Sequence, residues 1–519
     1  MKLSNIAGID LGTTFSGLAI LNSIGKPETV PNSDGERITP SAIYFPDDNR
    51  DTVLIGREAI NARADDVTRS ARWVKRFMGD PFYPQEVIGK KWTPAELSSL
   101  ILRKLKEDCS KQVGEISNVV ITVPAYFDEI RRKATMDAGK MAGLNVIGIV
   151  NEPTAAALFY ASEQNVSGKI LVFDLGGGTF DVTVMNVRGK QIDIVCSTGD
   201  HQLGGYEFDQ KLVENFRDVY RQEKEGELFP TPEDRARYEM EAEDAKKTLS
   251  RRPSAKTLLV ADKGSFRHEV SREKFEELIS PLTARIDMLV EDVLDEAELE
   301  PGQIDRVLLV GGSTRIPVIQ KRLEKMFGKP PTVAVNVDEC VALGAALHAG
   351  LKMMEKDPSS VPEGVSAGLG DIKLKEVCGH CYGTIIATID QETGRQVLAN
   401  DILIPKNTVL PCQVERTYYT AARGQTLIEA KVTQHVIEST DPDLVNVVAV
   451  GHLNLPANRE ANKPVKVSYS YDTNQRMHCV FEDVESGTKL EMDIDTQAGQ
   501  MSQSEVERRR SSLRVFQVE

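Results

Sequence analysis

Two stretches of the chain carry one pattern. Residues 6–20 read IAGIDLGTTFSGLAI and residues 170–184 read ILVFDLGGGTFDVTV. Each runs an apolar strand into Asp-Leu-Gly, then small and hydroxyl residues, then a second alternating strand. Such a segment reads as a β-hairpin closed by a glycine-rich turn. Two copies of one supersecondary unit imply a duplicated domain, a stronger constraint than any local propensity. The expectation is an α/β domain of two lobes with a cleft between them. A third apolar strand, RVLLVGGSTRIP, ends in a turn at Gly311 and Gly312 and leads into the helical pattern IPVIQKRLEKMFG.

The turns have a specific chemistry. Glycines let the backbone approach an anion, and successive N–H groups form a concave nest for phosphate. Thr13, Thr14 and Thr179 add hydroxyl donors, and Asp10 and Asp174 end the two strands. Two carboxylates beside two phosphate nests suit a hydrated Mg²⁺, which keeps its waters and takes few protein ligands. Between the turns, TPAELSSLILRKLKEDC starts a helix with Thr93 as N-cap, Pro94 at the first helical position and Glu96 closing a capping box. Leu97, Leu100, Ile101 and Leu105 then form its core face.

Composition excludes some classes. The chain has 519 residues and a net charge of −15. An acidic chain lacks the basic face that nucleic-acid binding needs. No apolar run approaches the roughly 18 residues of a membrane span. MKLSN at the start is too short for a secretory leader, and the seven cysteines are odd in number and mostly scattered. That usage fits a reducing compartment, so the expected location is the cytoplasm, with neither nucleic acid nor membrane as partner.

Longer motifs carry a resemblance. GIDLGTTFS, VVITVPAYFDEIRRKATMDAGKMAGL, IVNEPTAAALFY, FDLGGGTFDVTV, GGYEFDQKLV and VLLVGGSTRIPVIQ resemble the ATPase domain of heat-shock-protein-70 chaperones of the DnaK type. The resemblance implies a two-lobed, actin-like ATPase over residues 1–357. It further implies a linker at 358–376, an all-β sandwich for peptide at 377–500, and a short helical remnant without a lid at 501–519.

The resemblance also implies roles. Asp10 and Asp174 would stand around Mg²⁺ and its waters. Gly12, Thr13 and Thr14 would form the first phosphate loop, and Gly176, Gly177 and Gly178 the second, with Gly204 and Gly205 beside it. Thr179 and Asp181 would lie near the γ-phosphate and a K⁺ ion. Lys75 would be the lysine needed for hydrolysis, and Glu152 the carboxylate beside the attacking water. Glu243, Lys246, Lys247 and Ser250 would form one wall of the adenosine site. Gly311, Gly312, Ser313, Arg315 and Asp338 would form the other. Pro124 and Arg132 match a relay that senses nucleotide. Tyr418 and Ile428 match the pocket for an apolar peptide side chain. The implied function is an ATP-dependent chaperone for unfolded peptides, working with ATP and ADP and with J-domain and nucleotide-exchange co-chaperones. A small-molecule kinase on the same fold and an ATP-gated scaffold for one partner stay open as alternatives.

Several positions depart from the family pattern. Lys247 replaces an arginine that stacks on the base, Tyr206 replaces an acidic residue, and Phe15 replaces a common tyrosine. Only FMGDPFYPQEVIGKK separates Arg76 from Trp92, so the sub-lobe there should be trimmed. Gly148 stands where an arginine usually serves J-domain partners. In the linker, Lys373 and Lys375 replace apolar residues, and desolvating two ammonium groups should weaken its docking. The segment between Gly383 and Leu403 is longer than usual. The stretch EVCGHCYG has the spacing of a redox site, but it should open a sandwich strand. There, residues three apart point to opposite faces, so Cys378 and Cys381 should not bridge.

Overall fold

The computed structural model describes residues 6–47, 51–63, 66–164, 166–333, 336–389, 394–472, 476–495 and 501–519. The tip of the long 383–403 segment, the residues before Ile6 and the boundary at residue 500 lie outside them.

Both repeats are antiparallel hairpins. Ile6–Asp10 pairs with Phe15–Leu21, and Ser167–Leu175 with Phe180–Arg188. Each hairpin seeds a sheet of the same order. In the first sheet the strands run Pro27–Thr29, Phe15–Leu21, Ile6–Asp10, Asn118–Val123, Asn145–Asn151. In the second they run Gln191–Asp200, Phe180–Arg188, Ser167–Leu175, Arg306–Val310, Thr332–Val333. The pairings agree as well: three antiparallel strands, then two added in parallel through helical crossovers. The duplication read from the hairpins is therefore a duplication of topology.

Helices Glu152–Glu163 and Cys340–Lys356 pack between the lobes. A Cβ at Gly344 would sit 1.7 Å from the carbonyl oxygen of Ala155, and one at Gly8 would sit 2.1 Å from the nitrogen of Ala346. Only glycine allows these backbones to touch. Helix Pro94–Val113 has its full capping box, with the Thr93 and Glu96 side chains each accepting from the other's backbone N–H, and its four predicted core residues are buried. The helix predicted after Gly312 spans Pro317–Phe327.

Two four-stranded antiparallel sheets form the sandwich. One runs Gln396–Ile404, Cys381–Ile389, Leu427–His435, Asn446–Asn454, and the other Cys412–Tyr419, Pro464–Tyr471, Arg476–Asp483, Lys489–Asp495. Their inner faces bury Leu403, Val432, Tyr469 and Phe481 together.

The connector differs from expectation. Much of 358–376 is built into the first domain: Glu363–Leu369 is helical, with Val365 and Leu369 buried in the inter-lobe core. The remainder docks as a strand, Lys373–Lys375 pairing in parallel with Gln191–Asp193. The two lysines do not weaken this docking in the way expected of them. Strand alternation turns Lys373 and Lys375 outward, while Ile372 and Leu374 pack on the inter-lobe core. No ammonium group has to be desolvated.

The cysteine pair is also placed differently. Gly379 and His380 make a bend, and the strand begins only at Cys381. Alternation along a regular strand is thus not what separates the pair. Both are free thiols and both are buried, and the Cys378 thiol donates to the His380 carbonyl at 3.0 Å. Burial raises both thiols above their ordinary pKa, which leaves little thiolate for exchange.

Candidate nucleotide cleft and its connection to the sandwich

The two hairpin turns meet face to face. A Cβ at Gly177 would lie 1.8 Å from the Thr14 hydroxyl, and one at Gly178 would lie 2.6 Å from the Thr13 methyl group. Glycine is thus required for the turns to close on each other. Between them opens a cavity of about 450 Å³. Every residue assigned above to nucleotide or metal lines it, apart from Gly178, Asp181, Gly204 and Gly205. Those four stand behind the lining. Gly205 and Tyr206 donate their N–H groups to the Gly176 and Gly177 carbonyls at 3.0 and 2.7 Å, which fixes the second turn on the start of helix Gly205–Lys224. The Ser313 hydroxyl donates to the Gly176 carbonyl at 2.8 Å.

The floor of the cavity is a cluster of carboxylates around one ammonium group. Lys75 is 5% exposed, and its Nζ is bonded to the buried carboxylate of Glu152. Burial opposes the charge on Lys75, but Glu152 and Asp10 more than offset it, and its pKa stands above the ordinary value. Asp10 accepts from the Thr122 hydroxyl at 2.9 Å; burial and then Glu152 push its carboxyl up to about 6. The same causes raise Asp174, and push Asp181 up to about 8. Four carboxyl groups with one lysine are short of positive charge, so the donor set suits a divalent cation. Among the described residues no three His, Cys, Asp or Glu side chains are arranged to hold a metal ion by themselves. A cation that keeps most of its waters needs no such cage.

The upper walls come from both lobes. Lys246 donates to the Gly205 carbonyl at 2.9 Å and to Asp209 at 2.8 Å. Lys247 pairs with Glu243 at 2.8 Å, and Arg72 of the first lobe reaches the same carboxylate at 3.1 Å. Burial works against the charge on Glu243, yet Arg72 and Lys247 hold its pKa at about 2. Arg315 and Asp338 pair at 2.6 Å. Two further ion pairs join the lobes, where Arg63 donates to Glu239 at 2.8 Å and Arg76 to Glu207 at 3.1 Å. No motif in the sequence marked either pair.

From Glu152 a chain of contacts leads to the sandwich. Arg132 is buried and donates to the Asn151 side chain at 2.6 Å, and to the Phe127 and Ala125 carbonyls at 2.9 and 3.3 Å. It thereby ties the residue before Glu152 to the loop that follows Pro124. Three residues from Arg132, the Glu129 backbone donates to the Gln434 side chain at 3.2 Å. The Tyr382 hydroxyl donates to the Glu129 carboxylate at 3.3 Å and accepts from Gln434 at 3.0 Å. Tyr382 and Gln434 belong to the sandwich, and no sequence signal marked them.

Tyr418 and Ile428 lie on different sheets of the sandwich, each half-buried against its core. The Tyr418 hydroxyl donates to Asp401 at 2.6 Å.

Fold and cleft together define a two-lobed ATPase joined to a β-sandwich. The sequence pattern of the family described as Hsp70 protein matches residues 6–518, and the chain belongs to that family. Chaperone protein DnaK from each of two strains of Thermus thermophilus is 35% identical over 544 aligned residues, covering 98% of this chain and 83% of the relative. The chain is an ATP-dependent chaperone of the DnaK kind. Among the described residues no helix is long and apolar enough to cross a membrane.

Proposed function

We propose that the cavity between the hairpin turns binds ATP and hydrolyses it, and that the nucleotide state is passed to the sandwich, which grips unfolded peptide. The observation that carries this reading is the unbroken connection from Glu152 through Asn151 and Arg132 to Glu129, Gln434 and Tyr382. Thr13, Thr14 and the backbone N–H groups of both turns hold the phosphates. Lys75 offsets charge on the transferred phosphoryl group and Glu152 orients water, since such sites work by positioning and electrostatics. Asp10 and Asp174 would hold Mg²⁺ largely through water, and the ion would neutralise phosphate charge. Asp181 and Thr179 would hold a K⁺ ion. The adenosine moiety lies between the Glu243–Ser250 wall and the Gly311–Arg315 turn with Asp338. Tyr418 and Ile428 face the apolar side chain of the client.

J-domain and nucleotide-exchange proteins are the co-chaperones of this reading, and the seven free cysteines favour the cytoplasm. Family membership does not favour a metabolite kinase. The test is ATP turnover titrated with an unfolded apolar peptide. Turnover should rise with peptide in the native chain and stay flat in Arg132→Ala. Equal stimulation in both would remove the proposed connection, and no stimulation in either would remove the peptide reading.

A further inference from the structure

Residues 501–519 leave the sandwich and are built into the first lobe of the ATPase. The Ser502 hydroxyl caps helix Gln503–Leu513. This helix lies on helices Glu129–Met141 and Pro94–Val113, with Val506 and Leu513 buried in the core of that lobe. Polar contacts fix it along its length. The Met501 N–H donates to Asp137 at 3.0 Å, and Arg509 pairs with Glu96 at 3.3 Å. Arg103 donates to the Leu513 and Phe516 carbonyls at 2.8 and 2.6 Å.

Beyond the helix, the Phe516 ring packs 5.5 Å from Phe45 and 6.1 Å from the fully buried Trp92. Gln517–Val518 then joins the sheet of Thr52–Ile55, Ala42–Tyr44 and Ser70–Arg72 as a parallel edge strand. Ile55 donates to the Glu519 carbonyl at 2.7 Å, and Glu519 donates to the Val53 carbonyl at 2.9 Å. The short FMGDPFYPQEVIGKK segment packs in the same core through Met78, Tyr83 and Val87. The terminal strand covers a sheet edge that would otherwise present unpaired N–H and C=O groups.

The sandwich is thus held at both ends. The Lys373–Lys375 strand ties its entry to the second lobe, and residues 501–519 tie its exit to the first. We propose that residues 501–519 are a strap that keeps the sandwich docked in every nucleotide state. Peptide grip then changes within a docked sandwich and not by its release. Buried apolar side chains and added strand hydrogen bonds favour a strap that stays closed, because opening it exposes both at once. The nucleotide reading enters only in the choice of states to compare.

The test is hydrogen exchange of the full chain without nucleotide, with ADP and with ATP, alongside small-angle scattering. Nucleotide binding is measured on the same samples, so failure to bind is scored against the cleft and not against the strap. The amides of helix Gln503–Leu513 and of Glu519 should exchange at least about 100-fold more slowly than in an unstructured peptide. They should do so in all three states, with an unchanged radius of gyration. Fast exchange or expansion in any state overturns the proposal. Phe516→Ala with Val518→Asp should release the strap and expand the ADP state. Arg103→Ala is the milder variant should the pair fail to fold, and it should speed strap exchange at least about threefold with single-turnover hydrolysis unchanged. A released strap without expansion, or no faster exchange in Arg103→Ala, also counts against it.

Discussion

The indole of Trp73 lies 4.6 Å from the ring of Tyr206, joining the two lobes across the mouth of the cleft. The Arg72 guanidinium stands 4.6 Å over Trp73, and that of Arg76 stands 4.6 Å over Tyr206. Trp73 holds a left-handed backbone, φ 56°, to reach this position. An aromatic pair of this kind contributes about 0.5–1.5 kcal/mol beyond its burial. Trp73→Ala should therefore speed release of a fluorescent ADP by roughly three- to tenfold, and Trp73→Phe should restore most of the native rate. An unchanged chase rate in Trp73→Ala would remove the pair from control of the mouth.

Lys75 is bonded to Glu152 on the cavity floor, beside the carboxyls of Asp10 and Asp174. Lys75→Ala should leave nucleotide bound and lower single-turnover hydrolysis by about 100-fold or more, the scale of losing one preorganised electrostatic contact. Hydrolysis within a few-fold of the native rate would contradict the role.

Glu129 makes the docking of the sandwich depend on pH. Burial pushes its carboxyl from 4.5 up to about 7, against the pull of Lys133, Arg132 and the Tyr382 hydroxyl, with Asp128 adding a smaller upward push. An undocked Glu129 returns to the ordinary value. The docked state thus holds the extra proton between pH 4.5 and about 7. The resulting gain is fully present below 4.5 and is lost as pH rises through 7. Docking, read as protection of Lys373 and Lys375 from trypsin, should tighten as pH falls from 8 to 6. Glu129→Gln should flatten the dependence, and a native profile that is already flat would exclude it.

Leu374 and its lysine neighbours should behave oppositely. Leu374→Asp places a carboxylate against the inter-lobe core, at a cost of about 2 kcal/mol. It should open the connector to trypsin and abolish peptide stimulation. Lys375→Leu changes only an outward side chain and should leave peptide stimulation as it was. Equal effects would mean that strand alternation does not govern this docking.

Much of the first domain is legible in its sequence because its signals are local. A hairpin is announced by its turn glycines, a capping box by residues three apart, and a core face by helical spacing. Lys75 shows the limit of such reading. Nothing local distinguishes it from a surface lysine, and its buried charge is matched by Glu152 at the start of a distant helix. Lys373 and Lys375 show the reverse error. Composition counted two charges, but the strand direction decides where they point.

The sequence by itself determined the duplicated hairpins, the facing glycine turns, the carboxylates at the strand ends and the alternation of the sandwich, since each follows from periodicity or turn chemistry. Only the tertiary structure decided which distant groups meet. Trp73 finds Tyr206, Glu129 finds Tyr382, and Phe516 finds Trp92. The reason is physical: these contacts depend on how whole elements pack, and packing is set by the summed burial of many side chains that no single motif records.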